Sequence, residues 1–448
     1  MPKHPSTIFV CSKCDAQYPK WMGRCTECGN WSTLVEQTRQ KSKKSSPGMV
    51  GAVEILATFQ TESQLRLKSG MNEFDRVLGG GLVPGSVTLL GGDPGIGKST
   101  LVLQVGGLLA AAGRPVLYVS GEESTAQVKI RFERLGLKSH NLKFLGETDV
   151  DTIIATVEQH QPALVLLDSI QTMRCADVDS EPGSVAQVRA VTGKLVEAAK
   201  DSQTPVIIVG HVTKQGNVAG PRTLEHLVDV VLYLEGDDRH LFRVLRGVKN
   251  RFGATSEVGV FDMERAGLKE VPNPSAIFLS ERQHTNPGSV VTAIVEGSRS
   301  FLVEVQALVS RSNFGYPQRR ASGFDLNRLQ LLIAVLMKKA GLYLSNQDIH
   351  LNVAGGWRVN EPAVDAAVCL AIASATRGRP VPADTAVFGE VGLGGEMRAV
   401  SQTEKRLEEI KKMGFKYCVL PETKVQTTPH GLKLITTVTI NDAIKDIV

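Results

Sequence analysis

The chain predicts an α/β fold centred on a doubly wound parallel sheet, with a small metal-held unit before it and a further α+β unit behind. Three observations carry this reading: a glycine-rich GGDPGIGKST segment at 91–100 between a β-run and a helical period, a series of short continuous apolar runs, and four cysteines within the first thirty residues. Continuous apolar runs are what strands buried on both faces of a parallel sheet require.

Cys11, Cys14, Cys25 and Cys28 form two CxxC pairs separated by ten residues. Each pair supplies two sulfurs from one tight knuckle, and two knuckles close a tetrahedral Zn²⁺ shell with no open position, so the site is structural and residues 1–34 form a small ribbon that folds on its metal. Cys175, Cys369 and Cys418 stand singly and read as buried thiols. Residues 35–64 form a linker: 37–48 lacks an apolar period and carries Lys41, Lys43, Lys44, Ser45, Ser46 and Pro47. Its basic run is able to touch a polyanion, but a solvated tether is the plainer account.

Residues 65–271 form the nucleotide-binding unit. Gly92, Gly97, Lys98 and Ser99 satisfy the GxxxxGKS pattern, and the ATP-binding loop comprises Gly92, Asp93, Pro94, Gly95, Ile96, Gly97, Lys98, Ser99 and Thr100. Backbone N–H groups of such a loop converge on phosphate oxygens, Lys98 adds a point charge, and the Ser99 hydroxyl is placed for Mg²⁺. The runs at 116–119, 164–167, 206–209 and 230–234 predict strands, and 124–135 and 184–199 predict helices.

Strand ends then nominate the chemistry. Asp168 closes the run at 164–168 and becomes the second Mg²⁺ ligand. The strand at 116–120 runs into Glu122 and Glu123; Glu122 is the better candidate to activate water, while Glu123 is positioned to complement the charge of the helix from Ser124. His211, after 206–209, stands where a γ-phosphate sensor belongs, with Lys214 just beyond. Lys249 and Arg251 lie one residue apart at an expected hairpin tip, suited to neutralising a transferred phosphoryl group or gripping DNA phosphates.

The last unit, 272–448, has β-runs at 289–295 and 301–307, helical periods at 326–340 and 403–413, and a glycine-rich segment at 389–395. Composition sets the outer bounds. The 448 residues suffice for about three domains, and 42% hydrophobic content supports ordinary cores. No signal-like or membrane-spanning run is visible, which points to the cytoplasm and away from membranes. A net charge of +5 is compatible with a polyanion partner without requiring one.

Together the four-cysteine ribbon, GGDPGIGKST, YVSGEES, KNRFG and the C-terminal unit resemble the bacterial RadA (Sms) family of RecA-related DNA repair proteins, over the whole chain. The resemblance implies a RecA-like ATPase core flanked by a zinc ribbon and a Lon-protease-like domain. It further implies binding of single-stranded and branched DNA, DNA-stimulated ATP hydrolysis, branch migration in partnership with the RecA recombinase, and a homo-oligomeric, hexameric ring. In such rings a KxR pair reaches the neighbouring subunit's phosphate; Lys249 and Arg251 match it, and Glu122 matches the water-activating acid. Lys214, Lys249, Arg251, Arg319 and Arg320 are the expected DNA contacts, with Arg311 and Arg328 on the same C-terminal surfaces.

Two rivals stand beside this reading. A peptidase of the Lon type needs a serine activated by a lysine. The segment 360–365 resembles the nucleophile segment, but Ala363 stands at the serine's place and Glu404, next to Lys405, at the lysine's. A clock-type scaffold ATPase is the other, and the ribbon with KNRFG argues against it.

Overall fold

The N-terminal strands β1 (Thr7–Cys11), β2 (Gln17–Tyr18) and β3 (Leu34–Thr38) pair antiparallel with β1 central. The structure is a computed structural model and describes residues 7–11, 17–18, 20–27, 29–38, 66–210, 224–236, 242–279, 282, 286–312, 316–356, 358–425 and 427–448. Cys11 and Cys25 are fully buried and pack with Leu34, Phe9, Tyr18 and Met22. The second knuckle closes through the Gly29 N–H donating to the Cys25 carbonyl at 2.9 Å. A core of so few side chains does not hold a fold by burial alone, so a thiolate-bound metal fits this unit. Cys14 and Cys28, the other two expected ligands, lie outside the described residues.

The next elements alternate as the periodicity predicts: α1 (Asn72–Leu78), β4 (Val87–Gly92), α2 (Lys98–Ala111), β5 (Val116–Ser120), α3 (Thr125–Arg134), β6 (Leu142–Leu145), α4 (Val150–His160), β7 (Leu164–Asp168), α5 (Val185–Ser202), β8 (Val206–Val209) and β9 (Val230–Glu235). Then come β10 (Phe242–Asn250), β11 (Val258–Glu264) and β12 (Gly267–Glu270). The sheet order is β12-β11-β10-β9-β4-β8-β7-β5-β6, parallel from β9 to β6 and antiparallel from β10 outward. Apolar clusters line both faces, one under α1 to α3 and one under α4 and α5. The helix starts follow their caps: Ser124 and Gln127 form a reciprocal capping box on α3, and Ser184 caps α5.

The C-terminal elements are α6 (Pro274–Leu279), β13 (Ser289–Glu296), β14 (Arg299–Arg311), β15 (Arg319–Ser322), α7 (Leu326–Lys339), β16 (Gln347–Val353), α8 (Asp365–Arg377), β17 (Thr385–Val387), β18 (Glu390–Val391), β19 (Met397–Arg398), α9 (Thr403–Lys412), β20 (Tyr417–Pro421), β21 (Lys433–Thr437) and α10 (Ile440–Ile447). A mixed sheet runs β15-β16-β14-β13-β17-β20-β21. Among the described residues no helix is long and apolar enough to cross a membrane.

The chain divides into two compact units, Met1–Glu62 and Ser63–Val448. The nucleotide-binding and C-terminal sheets share the second because Val244, Val258, Val260 and Val271 of the first enter the C-terminal core. The β13–β14 turn docks against the segment before β11. Ser298 N–H donates to the Ser256 carbonyl at 2.6 Å, and a Cβ on Gly297 (φ 62°) would fall 1.6 Å from that same oxygen. Arg246 bridges Glu235 at 2.8 Å and Glu296 at 2.6 Å. Arg299 reaches the Glu73 carboxylate at 2.6 Å, and Glu73 also accepts from the Val260 N–H at 3.0 Å. Arg299→Ala leaves this buried carboxylate short of its closest cation and is expected to cost about 3 kcal/mol of stability. Urea unfolding measures it, and Glu73→Gln in the same chain is expected to restore part of the loss.

Candidate active site

The phosphate loop leaves β4 at Gly92 and enters α2 at Lys98. Gly92 has φ 148°, and a Cβ there would lie 2.4 Å from the Leu234 carbonyl oxygen, so only glycine lets the loop turn against β9. A Cβ on Gly95 would meet nothing within 4 Å, leaving the tip of the loop open to a ligand. The loop is braced from behind by Arg243, whose Nε donates to the Ile96 carbonyl at 3.3 Å.

Lys98 is 3% exposed, and its Nζ donates to the Gly92 and Asp93 carbonyls, each at 2.9 Å. Burial pushes its pKa below the ordinary lysine value, while the carboxylates of Asp168, Asp93 and Glu122 act in the opposite direction. Those interactions bring the loop and both strand-end acids into one electrostatic neighbourhood. Ser99 is half-buried at the first turn of α2. The donor set of backbone loop, ammonium, hydroxyl and carboxylate fits a magnesium nucleotide.

Asp168 ends β7 and is 5% exposed. The β8 strand separates β7 from β4, so Asp168 faces the loop across one intervening strand. Its Oδ2 accepts from the Tyr118 hydroxyl at 2.6 Å. Burial first, and the Asp168 charge second, raise the Tyr118 pKa far above the ordinary tyrosine value, so the phenol stays a donor. Ser169 follows Asp168 and its hydroxyl donates to Glu122 Oε1. The two acids that follow β5 have different surroundings. Glu122 is exposed, whereas Glu123 is held in a two-pronged pair by Arg131 of α3 at 2.8 and 2.5 Å. Glu123 is thus a brace for α3, and the helix cap is Ser124.

Tyr118, Ser169 and Arg131 escaped the sequence reading. A tyrosine inside VLYVS reads as strand apolar surface, and only the neighbour relation of β5 and β7 puts its hydroxyl on Asp168. His211 and Lys214 lie outside the described residues.

Lys249 and Arg251 are at the other end of the sheet. Lys249 pairs in register with Val231 and its Nζ donates to the Glu225 and Val228 carbonyls at 2.7 and 2.8 Å. Desolvation, then the neighbouring Arg251 charge, lower its pKa. Arg251 pairs with Asp229 at 3.0 Å, and Asp229 also accepts from the Val87 N–H at 3.1 Å. Val87 opens β4, so this anchor lies about 16 Å along the strand from Gly92. The pair does not reach the phosphate loop of its own chain.

In the C-terminal domain the expected surface arginines divide. Arg320 and Arg311 are exposed. The Arg319 guanidinium donates to the carbonyls of Gln318, Leu344 and Gln347. Arg328 is not a free surface cation: it pairs with Asp365, which is fully buried. Ala363 is buried, and its carbonyl accepts from the Gly389 N–H at 2.7 Å. Within α9 the cation that pairs with 360–365 is Arg406, which meets Glu361 at 2.5 Å. Thr403, Arg406, Leu407 and Ile410 form the buried face of α9, whereas Lys405 is exposed, so helical period puts Arg406 inward.

Three family profiles match the chain: an AAA domain over 58–217, a rubredoxin metal binding domain over 9–36, and the Lon protease (S16) C-terminal proteolytic domain over 334–448. The fold and site are those of a RecA-like P-loop ATPase carrying a zinc ribbon and a Lon-protease-like domain. A Bacillus subtilis (strain 168) protein named DNA repair protein RadA is 48% identical over 446 residues, covering 98% of this chain and 97% of its own length. A Pseudomonas aeruginosa protein of the same name is 49% identical over 444 residues, covering 98% of each. The chain belongs to the RadA family.

Tyr118→Phe removes a hydrogen bond to a buried carboxylate while keeping the ring, and is expected to cost about 2 kcal/mol in urea unfolding. A loss below a few tenths would show that the hydroxyl does not hold Asp168.

Proposed function

We propose that this chain is a DNA-dependent ATPase of the translocase or helicase type, acting in the cytoplasm on single-stranded and branched DNA. It promotes branch migration in strand exchange by the RecA recombinase, and so serves double-strand break repair. The name of its relatives, DNA repair protein RadA, supports the substrate class. The observation that carries the motor reading is the separation of the site into two halves: loop, Asp168 and Glu122 at one end of the sheet, Lys249 and Arg251 at the other.

In this reading the backbone of 92–100 and Lys98 hold the triphosphate, and Ser99 and Asp168 hold Mg²⁺. A magnesium ion held there would supply positive charge to offset that of the phosphates. Glu122, exposed and fixed by Ser169, takes the proton from the attacking water. Lys249 and Arg251 serve the phosphate of a neighbouring chain, which makes a closed homo-oligomer, a hexameric ring, the working form. His211 senses the γ-phosphate, and Lys214, Lys249, Arg251, Arg319 and Arg320 contribute DNA contacts. Cys11, Cys14, Cys25 and Cys28 hold a structural Zn²⁺. The domain limits 1–34, 35–64, 65–271 and 272–448 belong to the same proposal.

The Lon-like domain is proteolytically inactive in this account. Alanine offers no nucleophile, and an arginine paired with Glu361 is no base for one. A scaffold ATPase would hydrolyse without DNA dependence.

Lys98→Ala is expected to abolish ATP turnover with the fold intact, and wild-type turnover would refute the phosphate-loop role. Glu122→Gln is expected to keep nucleotide binding and lower turnover by about 10²–10⁴-fold. Mixing it with a Lys249→Ala/Arg251→Ala chain restores activity only if sites are shared, because one variant then contributes the acid and the other the cations. Stimulation of turnover by single-stranded DNA separates motor from scaffold.

A further inference from the structure

The ribbon exposes two of the chain's three tryptophans. Trp21 is 58% exposed and Trp31 72%. Large aromatic surface is normally buried, and this unit builds its small core without either ring. The two indoles converge on Gly23: a Cβ placed there would lie 3.6 Å from the Trp31 ring and 4.0 Å from that of Trp21. Both rings therefore border one shallow surface whose floor is a residue without a side chain. The backbone fixes it, since the Ser32 N–H donates to the Gly23 carbonyl at 2.8 Å and Arg24 bridges to Trp31. The Arg24 guanidinium sits 5.9 Å from the Trp31 ring centroid, and its Nε donates to the Gly29 carbonyl at 2.9 Å, which holds it over the indole.

Charge marks the same unit. Residues 1–34 hold the four basic residues Lys3, Lys13, Lys20 and Arg24 against the two acids Asp15 and Glu27. Exposed Lys20 and Arg24 adjoin the rings in the chain. Aromatic faces that stack bases, rimmed by cations that follow a phosphate backbone, are the combination that binds unpaired nucleic acid irrespective of sequence. An apolar protein partner would account for the indoles but not for the Arg24 guanidinium held over one of them.

We propose that Trp21 and Trp31, with Arg24, form a base-stacking platform for single-stranded DNA, distinct from the DNA contacts assigned to the ATPase and Lon-like domains. The proposal rests on the reading of the chain as a DNA motor. The rings stack on unpaired bases, and Arg24 and Lys20 contact the intervening phosphates.

The test is a full-length Trp21→Ala/Trp31→Ala chain, with bound zinc measured to show that the ribbon still folds. Binding is read against a short oligothymidylate and against an abasic strand of equal length. The expected result is an affinity for oligothymidylate about ten-fold weaker than wild type, an unchanged slope against salt, and little change for the abasic strand. DNA-free ATP turnover stays at the wild-type rate, and Trp21→Phe/Trp31→Phe retains most of the binding. Equal affinities of wild type and the alanine variant for oligothymidylate overturn the platform and leave the indoles to a protein partner. Equal loss on both strands overturns it too, because the effect is then not on bases. If wild-type protein binds no single-stranded DNA at all, the motor reading itself fails, a result separable from both.

Discussion

Parallel strands that share one sheet must all finish at the same edge. In this chain β9, β4, β8, β7, β5 and β6 obey that rule, so the phosphate loop, Asp168 and the segment leading to Glu122 arrive at one place although they are separated by some seventy residues. The geometry needs no further device to collect them, only side chains that keep them apart at the right spacing. Tyr118 and Ser169 do this by hydrogen bonding, and the buried Lys98 ammonium supplies the opposing charge that lets several carboxylates coexist. The same rule sends the end of the antiparallel β10 to the opposite edge. Lys249 and Arg251 are far from their own loop as a matter of strand direction.

Much of this was legible in the residues themselves. Runs such as VLYV, LVLL and VIIV announce strands buried on both faces, and each is found as a strand of the one sheet. The GKS segment, the terminal acid of 164–168 and the paired knuckles each carry local spacing that specifies chemistry. What stayed hidden was whatever depends on which strands become neighbours. Tyr118 looks like core until β7 is placed beside β5. Glu122 and Glu123 are adjacent in sequence, and their surroundings separate when Arg131, eight residues on in α3, captures the second. Arg328 and Arg319 look like surface cations, yet one meets a buried aspartate and the other three carbonyls. The buried face of α9, which points Arg406 at Glu361, likewise follows only from the packed helix.

The C-terminal domain, matched by the Lon C-terminal proteolytic profile, is cross-linked around Ala363 by a buried arginine. Arg406 is 1% exposed and joins α9 to Glu361, to the Ala293 carbonyl of β13 and to the Ser401 carbonyl. A buried arginine with this many acceptors is a structural cross-link. The β13–β14 turn that emerges from this region is the part clamped to the nucleotide-binding sheet through Glu73, Glu296 and Ser256. The segment around Ala363 and the union with the ATPase sheet are thus tied to the same strands.

Asp229 gives β4 a property that neither end shows alone. Its carboxylate fastens the first residue of the strand to Arg251, while the last residue begins the phosphate loop. Six residues of extended chain, hydrogen-bonded on both sides, resist compression far better than a loop of equal length. In an assembly where Arg251 serves the next chain, β4 acts as a push rod of fixed length: a displacement of the loop at one nucleotide arrives undamped at the anchor of the cation beside another. Timing between successive sites would then be a mechanical property of one short strand.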